Sequence, residues 1–450
     1  MKKLVPILVS FALMFSLAAC GGNSSSTTSN SSTAASGNTS SSGSDASGGD
    51  NKKDVTLRVA WWGGQSRHDY TLEVIKLYQQ KYPHVTIETE YAAFDDYWKK
   101  LAPQAAANQL PDVIQMDISY LSQYGTRGQL ADLEPFIQSG ALHVNDISEN
   151  NLSGGKLGGK LLAINLGSNA LSATVDEELL KASGIETPLK EDWTWTDFDA
   201  LGEKLKASGK MIVADLRHDV FFPFFLRMNN QHMYNGTDYT LGYDDDKYFV
   251  DFYTMYKGWY DKGYLLSLDK LAQKKGTPED DEMVMGNAAA AIGWSNQYLL
   301  AANTANRPLA MQPVPGWSSN GALFLKPSMF FAVSESSAIK EEAAKFIDFF
   351  VNDIEANKII KGERGVPVSS KVRDELKPLL SEQETKIFEY VAWAEQNSTA
   401  MDPPNPVGAV EVDKLLKDTV EQILYNKTSV EDAAKKFRED ANKILAKNKP

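Results

Sequence analysis

One stretch near the start of the chain decides the fold, because it alternates strand-like and helix-like patterns. Residues 55–60, Val-Thr-Leu-Arg-Val-Ala, are β-rich, residues 85–91 alternate apolar with polar side chains, and residues 111–116 are typical of a buried strand. Between these strands, residues 72–82 and 97–108 keep the apolar spacing of helices. This β-α-β-α-β order predicts an α/β fold with a largely parallel sheet and helices on both faces.

Aromatic side chains stand where several predicted strands end. Trp61 and Trp62 follow the first strand, Tyr120 follows the third, Trp294 follows a later apolar run, and Trp317 lies in a proline-rich loop. Ligands of parallel sheets bind outside the carboxyl ends of the strands. A flat ring offers the apolar face of a sugar a large, rigid contact, so we predict that these aromatics line a ligand cleft, with core packing as the alternative for each.

The rest of the chain adds further elements. We predict a strand at 160–165, and the apolar spacing predicts helices at 176–183, 196–208, 248–262 and 340–352, with two more across 411–447 that are separated at 426–428. Ser429 is predicted to cap the last helix. Trp193 and Trp195 precede a helix and are predicted to pack in the core.

The first twenty residues have the pattern of a secretory signal. Lys2 and Lys3 precede an apolar run of 14 residues, which is short for a bilayer span of roughly 20. Residues 17–20, Leu-Ala-Ala-Cys, resemble the bacterial lipobox, in which cleavage before the cysteine accompanies attachment of a diacylglycerol. Because Cys20 is the single cysteine of the chain, we predict a signal peptide at 1–19 and a lipid on Cys20. A plain signal peptide is the alternative.

A serine-rich segment follows this cysteine. Residues 21–50 contain 22 Ser, Thr or Gly residues out of 30. Such a composition cannot bury enough apolar surface to order itself. We therefore predict a flexible tether at 20–53, which holds a soluble body at the outer face of the cytoplasmic membrane through the lipid anchor alone.

Composition and motifs exclude several functions. A length of 450 residues predicts two or three domains, and a net charge of −13 argues against a nucleic-acid partner. A single cysteine excludes intramolecular disulfides and zinc sites with several cysteines. Residues 154–160 fit G-x-x-x-x-G-K, but Leu161 stands where a phosphate loop needs Ser or Thr. The five histidines lack metal-ligand spacing, and residues 244–246 lack the pattern of a calcium loop. We predict no metal and no cofactor.

At this point the chain resembles the extracellular solute-binding proteins of ABC importers, family 1, of the maltose- and oligosaccharide-binding type, in their lipoprotein form. The resemblance spans residues 54–447. The segments that carry it are 111–114, 128–133, 159–164, 194–198, 293–297, 342–347 and 364–368.

The resemblance implies a two-lobed periplasmic-binding-protein-like fold with a ligand cleft between discontinuous lobes. Carried over, lobe 1 is 54–165 plus 327–370, and lobe 2 is 166–326 plus 371–450. Hinge strands are expected near Asn165, Lys326 and Ser370.

The resemblance also implies which residues contact the ligand. The matching positions are Trp62, Gly63, Asp117, Ser119, Tyr120, Asn169 and Trp294, with Trp317 added from its loop. Residues 403–408 carry no ring where the family has a far-lobe aromatic, which disfavours a simple linear maltodextrin. The segment around Trp62 looks more like members that bind plant-polysaccharide oligosaccharides. A uronate would require the basic groups Arg67, His68 and Arg217, for which a surface role is the alternative.

These observations predict a monomeric, non-catalytic protein that captures an oligosaccharide and delivers it to membrane permease subunits. Two alternatives stay open. Carboxylates are abundant enough that a surface glycoside hydrolase with a pair of acids is not excluded. An adhesin without saturable binding of small ligands is the other.

Overall fold

The computed structural model describes residues 53–274 and 277–449. The predicted signal peptide, Cys20 and residues 20–52 of the predicted tether lie outside the described residues. No helix within the described ranges is long and apolar enough to cross a bilayer.

The strands, in chain order, are β1 Val55–Trp62, β2 Val85–Ala92, β3 Val113–Met116, β4 Lys156–Leu157, β5 Lys160–Leu161, β6 Ile164–Asn165, β7 Ser168–Val175, β8 Tyr234–Asn235, β9 Thr240–Leu241, β10 Ala290–Trp294, β11 Ala310–Gln312, β12 Leu325–Pro327 and β13 Phe330–Val333.

The helices, in chain order, are α1 Gln65–Lys81, α2 Phe94–Ala106, α3 Ile118–Thr126, α4 Glu134–Gln138, α5 Glu149–Ser153, α6 Glu177–Ala182, α7 Trp195–Ala207, α8 His218–Met228, α9 Lys247–Lys262, α10 Leu268–Leu271, α11 Gln297–Ala305, α12 Lys340–Asn352, α13 Ile354–Ile360, α14 Ser370–Leu376, α15 Glu382–Asn397, α16 Ala409–Leu424 and α17 Val430–Lys447.

The first sheet has the strand order β2-β1-β3-β13-β6. Strand β1 pairs in parallel with both β2 and β3, which confirms the predicted β-α-β-α-β unit. Strand β13 returns from far along the chain and pairs antiparallel with β3 and β6. Every residue of the central strand β3 is buried, as the apolar run predicted.

Strand β1 is longer than its sequence predicted. Trp61 and Trp62 belong to the strand, where they pair with Tyr91 and Ala92, rather than to the loop after it. Both are buried, and Trp61 stacks on Tyr91 with ring centroids 4.9 Å apart. The prediction that the strand ends at Ala60 was wrong, because pairing with the full length of β2 extends it to Trp62.

The predicted strand at 160–165 is two short strands with different partners. Strand β5 forms a hairpin with β4, closed by Gly158 and Gly159 at positive φ, whereas β6 joins the edge of the first sheet. The glycine-rich segment is thus a hairpin turn, as its lack of a phosphate-loop Ser or Thr indicated.

The second sheet is antiparallel and is built around β7. Strands β10, β11 and β12 all pair with β7, and each of its eight residues is buried. The helices predicted at 176–183, 196–208, 248–262 and 340–352 are all present within two residues of their predicted ends. Ser429 accepts a hydrogen bond from the amide of Asp432 and caps α17, as predicted.

Two separate hydrophobic cores give the molecule its two lobes. The core of the first lobe takes residues from 57–166 and 329–368, and that of the second takes residues from 170–325 and 366–445. Trp193 and Trp195 lie in the second core, as predicted. The chain therefore passes between the cores three times, near residues 167, 327 and 367.

The crossing segments touch one another through their backbones. Ser168 and Val366 exchange hydrogen bonds, with N–O distances of 2.8 and 3.2 Å. A Cβ at Gly167 would lie 2.1 Å from the carbonyl oxygen of Arg364, so only glycine fits there. At the third crossing, the amide of Ser328 donates to the carbonyl of Gly167 at 2.9 Å, so all three crossings are in direct contact.

A buried polar network surrounds the same crossings. The Glu395 carboxylate of α15 accepts hydrogen bonds from Arg373 at 2.6 Å, from the amide of Asn151 at 2.7 Å and from the hydroxyl of Ser148. Asn151 in turn accepts from the Ser168 hydroxyl at 2.5 Å. The network links α5, the start of β7, α14 and α15 around one carboxylate.

Candidate functional site

The candidate site is built on the crossing strands β7 and β12. Asn169 lies directly opposite Lys326 in this antiparallel pair, so the two side chains share a face of the sheet. Trp294, at the end of β10, lies opposite Leu171, two residues along β7, and therefore points to the same face. The Lys326 ammonium lies 5.0 Å from the centroid of the Trp294 ring.

Lys326 is surrounded by charged groups but bonded to none of them. Over the described ranges its ammonium makes no ion pair and no hydrogen bond. Burial lowers the pKa of Lys326, and the charge of Arg217 lowers it further, whereas the carboxylates of Asp117 and Asp219 raise it. Groups from both lobes thus face this one cation.

Trp294 forms one wall of the site. Its amide donates to Oε1 of Gln297 at 3.1 Å, and that side chain folds so closely over Gly293 that a Cβ there would lie 2.2 Å from it. Phe324 packs edge-on against the ring, with centroids 5.9 Å apart. The indole is only partly buried, so part of the ring stays accessible to a ligand.

Asn169 contributes an unsatisfied acceptor. Its side chain is buried, and its Oδ1 has no hydrogen-bond partner in the described part of the chain. Most buried polar atoms in native proteins have a partner. A hydroxyl donor from a ligand would supply the bond that Asn169 lacks.

The first lobe contributes a second group of residues at the carboxyl end of β3, where Asp117 faces Lys326. Asp117 caps α3 by accepting a hydrogen bond from the amide of Ser119 at 2.8 Å. One turn in, Tyr120 stacks on Trp98 with centroids 3.7 Å apart and planes at 11°. Phe94, 39% exposed, approaches Tyr120 edge-on. These rings form an aromatic platform with Tyr120 and Phe94 on its outer side.

Trp62 supports this platform from beneath. It is 7% exposed and its ring contacts those of Phe94, Tyr97 and Trp98 at 5.3 to 5.7 Å. At Gly63 an added Cβ would lie 2.6 Å from the Arg67 side chain, so this glycine lets that arginine fold back over the strand end.

The two basic residues after β1 are engaged inside the first lobe. Arg67 forms a forked ion pair with Glu363, with N–O distances of 3.1 and 3.0 Å. His68 is buried and accepts a hydrogen bond from the Trp61 indole at 3.1 Å. Burial lowers the pKa of His68, and the charge of Arg67 lowers it further. Neither side chain has a free charge to offer a ligand.

The second lobe adds a charged cluster near Lys326. Arg217, just before α8, forms an ion pair with Asp219. Asp413 of α16 accepts a hydrogen bond from the Tyr234 hydroxyl at 3.1 Å. Burial raises the pKa of Asp413 to about 6, although the Tyr234 hydrogen bond lowers it.

Trp317 lies apart from these groups. Its indole packs edge-on against Trp393 and donates to the carbonyl of Glu191 at 2.7 Å. A groove of about 500 Å³ also opens on the second lobe, lined by residues of α6, β11 and α15. Its one aromatic, Tyr390, is buried, so this groove offers no exposed ring to a sugar.

Sequence reasoning missed Lys326 and Phe324 as site residues. The signal was present: Lys326 is the single charged residue in the run 322–333, whose other residues are apolar except Ser328. A lone lysine in a buried strand is unusual enough to indicate a partner or a ligand. Trp98 and Asp413 gave no such signal, because both fit the pattern of an ordinary amphipathic helix.

Comparison with known proteins places the chain among binding proteins. The family model described as bacterial extracellular solute-binding protein matches residues 73–389. An extracellular solute-binding protein family 1 from Alicyclobacillus acidocaldarius is 28% identical, with a TM-score of 0.77 over 88% of this chain and 100% of that chain.

Two more distant structures share the fold. A periplasmic oligogalacturonide binding protein from Yersinia enterocolitica is 22% identical, with a TM-score of 0.76 over 88% of this chain and 100% of that one. An ABC substrate-binding protein from Listeria monocytogenes in complex with cycloalternan is 20% identical, with a TM-score of 0.68 over 87% of this chain and 99% of that one. With its two lobes, three crossings and the family match over most of its length, the chain belongs to the bacterial extracellular solute-binding proteins.

Proposed function

We propose that this protein captures an oligosaccharide between its lobes and delivers it to the permease subunits of an ABC importer. One observation carries the proposal: charged groups of both lobes, Asp117 on one side and Arg217 and Asp219 on the other, face Lys326 on the crossing strands. The Trp294 ring lies against Lys326, and Asn169 and Lys326 have no hydrogen-bond partner for Oδ1 and the ammonium within the described residues. Tyr120, one turn beyond Asp117, is proposed to supply a second ring. This combination suits sugars, whose rings have apolar faces and hydroxyl edges.

The proposed ligand contacts fall into three groups. Asp117, Ser119 and Tyr120 belong to the first lobe, Asn169 and Lys326 to the crossing strands, and Trp294 and Arg217 to the second lobe. Trp62, Gly63, Arg67 and His68 are proposed to hold the aromatic platform in place, and Trp317 stays a predicted contact at the periphery.

The proposed mechanism is closure of the lobes around the sugar. The proposed boundaries are 54–165 plus 327–370 for lobe 1 and 166–326 plus 371–450 for lobe 2, and the division between the two cores supports them. A ligand that contacts both lobes binds the closed form better and therefore shifts the population toward it.

The ligand class follows the named ligands of the matched structures as well as the site. One of those proteins binds oligogalacturonide and another was solved with cycloalternan. Both ligands are oligosaccharides, and an oligosaccharide is what we propose for this chain.

A screen of oligosaccharides tests the function. We expect a subset to raise the unfolding midpoint in a concentration-dependent way, because a ligand that binds only the folded state stabilises it by mass action. Small-angle scattering should then show a smaller radius of gyration with the best hit than without it. A panel without a saturable shift would contradict sugar capture, and an unchanged scattering profile at saturation would contradict closure alone.

A surface glycoside hydrolase is the second candidate, and the raised pKa of Asp413 favours it. A general acid needs such a pKa, and Asp219 lies near enough to contribute to it. Reducing ends measured over days with the best-binding sugar separate the two functions. Release of reducing ends by the wild-type protein that is lost in Asp413→Asn would establish the hydrolase. A sugar that stays intact at saturating protein would support the binding protein instead.

We also propose that Cys20 carries the lipid that holds this monomeric protein at the outer face of the cytoplasmic membrane. Cys20→Ala should release the protein from the membrane fraction or leave the signal peptide uncleaved, whereas Ser24→Ala, four residues on, should do neither. Unchanged fractionation and mass in Cys20→Ala would contradict the anchor.

A further inference from the structure

We propose that the captured sugar carries a carboxylate and that the Lys326 ammonium binds it. This rests on the proposed function and names its substrate class. The starting observation is a half-buried cation on the crossing strands with no ion pair or hydrogen bond over residues 53–274 and 277–449, held against the ring of Trp294.

The other cations near the site are already paired. Arg217 is bound by Asp219, Arg67 by Glu363, and Arg227 by Asp402 at 2.5 Å. Each of these pairs is neutral as a unit. Lys326 is different, because its side chain is half-buried and its ammonium forms no ion pair with any carboxylate in residues 53–274 and 277–449.

The surroundings of Lys326 are suited to an anion rather than to a second protein carboxylate. The Trp294 ring stabilises the ammonium from one side by its electron-rich face. Asn169, directly across the strand pair, holds its unsatisfied oxygen on the same face. A sugar acid fits both groups at once, with its carboxylate on Lys326 and a hydroxyl donating to Asn169.

The charge of the site favours a carboxylate over a phosphate. Asp117 and Asp219 both face Lys326 closely enough to raise its pKa. A phosphate monoester carries nearly two negative charges. The carboxylates of Asp117 and Asp219 would repel both of these charges, whereas the Lys326 ammonium would neutralise one of them. A carboxylate carries one charge and matches one ammonium.

The test compares two probes that differ only in the acid group. Digalacturonic acid and α-1,4-linked galactobiose have the same linkage and ring configuration, and only the first has carboxylates. Calorimetric titration of the wild-type protein should give an affinity about tenfold or more higher for the acid, the scale of a hydrogen bond to a charged group. The preference should shrink as salt is raised.

Three variants assign that preference to one side chain. Lys326→Met keeps most of the length of the side chain and removes the charge, and it should reduce the acid-to-neutral ratio to about twofold or less. Lys326→Arg keeps the charge and should retain most of the preference. Lys204→Met removes an exposed lysine of α7 without an ion pair in the described structure, so it controls for net charge and should leave the ratio unchanged.

The outcomes separate this inference from the function on which it rests. Equal wild-type affinities for the two probes, or a preference that survives in Lys326→Met, would overturn the carboxylate inference and leave sugar capture standing. If neither probe binds, uronate-containing and matched neutral oligosaccharides of other linkages replace them. Binding confined to neutral sugars overturns the inference, and binding of none overturns both. Should Lys326→Met fail to fold, the wild-type ratio and Lys326→Arg still decide.

Discussion

Glu395→Ala is expected to lower the free energy of unfolding by about 3 kcal/mol, because it leaves a buried arginine without its carboxylate. The side chains of Arg373 and Glu395 are only 14% and 15% exposed. Arg373 keeps its hydrogen bonds to the carbonyls of Pro367 and Val368 at 2.9 and 3.0 Å, so the variant retains the guanidinium in place with its charge uncompensated.

Urea denaturation of Glu395→Ala and Glu389→Ala measures this effect. Glu389 lies on the same helix, is exposed and has no ion pair in the described structure, so its loss should change stability by no more than about 0.5 kcal/mol. Equal midpoints for the two variants would show that the network around the crossings contributes nothing beyond an ordinary surface glutamate.

Trp294→Ala is expected to weaken sugar binding by about 1–3 kcal/mol, or roughly five- to 150-fold, the scale of burying one large side chain. Because the ring is partly exposed, the protein should lose less stability than the 3–5 kcal/mol typical of a core tryptophan. Calorimetry with the best hit from the screen and urea denaturation give the two quantities separately.

Trp259→Ala is the matched control for Trp294→Ala. Trp259 is 2% exposed within the second core and packs against Trp195 and Phe198. Trp259→Ala should therefore lower the free energy of unfolding by about 3–5 kcal/mol, as is typical of a core tryptophan. If Trp294→Ala instead loses stability on that scale and keeps its affinity, Trp294 belongs to the core and not to the site.

The parallel unit of the first sheet could be predicted from the sequence because its cause is local. Residues 55–60 and 85–91 are β-rich, residues 111–116 are typical of a buried strand, and the helices between them keep their spacing without help from distant segments. The end of β1 could not be predicted from the sequence, because the pairing of Trp62 with Ala92 decides it. The last residue of a strand depends on where the neighbouring strand ends, and the pattern of residues 55–62 does not show which strand is the neighbour.

The candidate site shows the same division. Trp294 and Tyr120 were identified from their positions after strands, which the sequence displays. That Arg67 is neutralised by Glu363, nearly three hundred residues away, depends on the fold. The lack of an ion pair for Lys326 within the described residues depends on the fold as well, since it is decided by all the neighbours of the ammonium in space. The sequence shows Lys326 as the single charged residue of its run, but it does not show which group would pair with the ammonium.

The position of Asn169 and Lys326 on the crossing strands has a mechanical consequence. Residues at a hinge move little when the two lobes rotate about it. Asn169 and Lys326 should therefore contact a sugar in the same way in the open and the closed form. Trp294 lies against Lys326 and stays with these two residues, whereas Tyr120 belongs to the first lobe, so rotation of the lobes changes its distance from the other three. We therefore expect Asn169, Lys326 and Trp294 to determine the affinity of the open form, and Tyr120 to determine how far the equilibrium shifts toward the closed form, since a ligand shifts it only by its unequal affinity for the two forms.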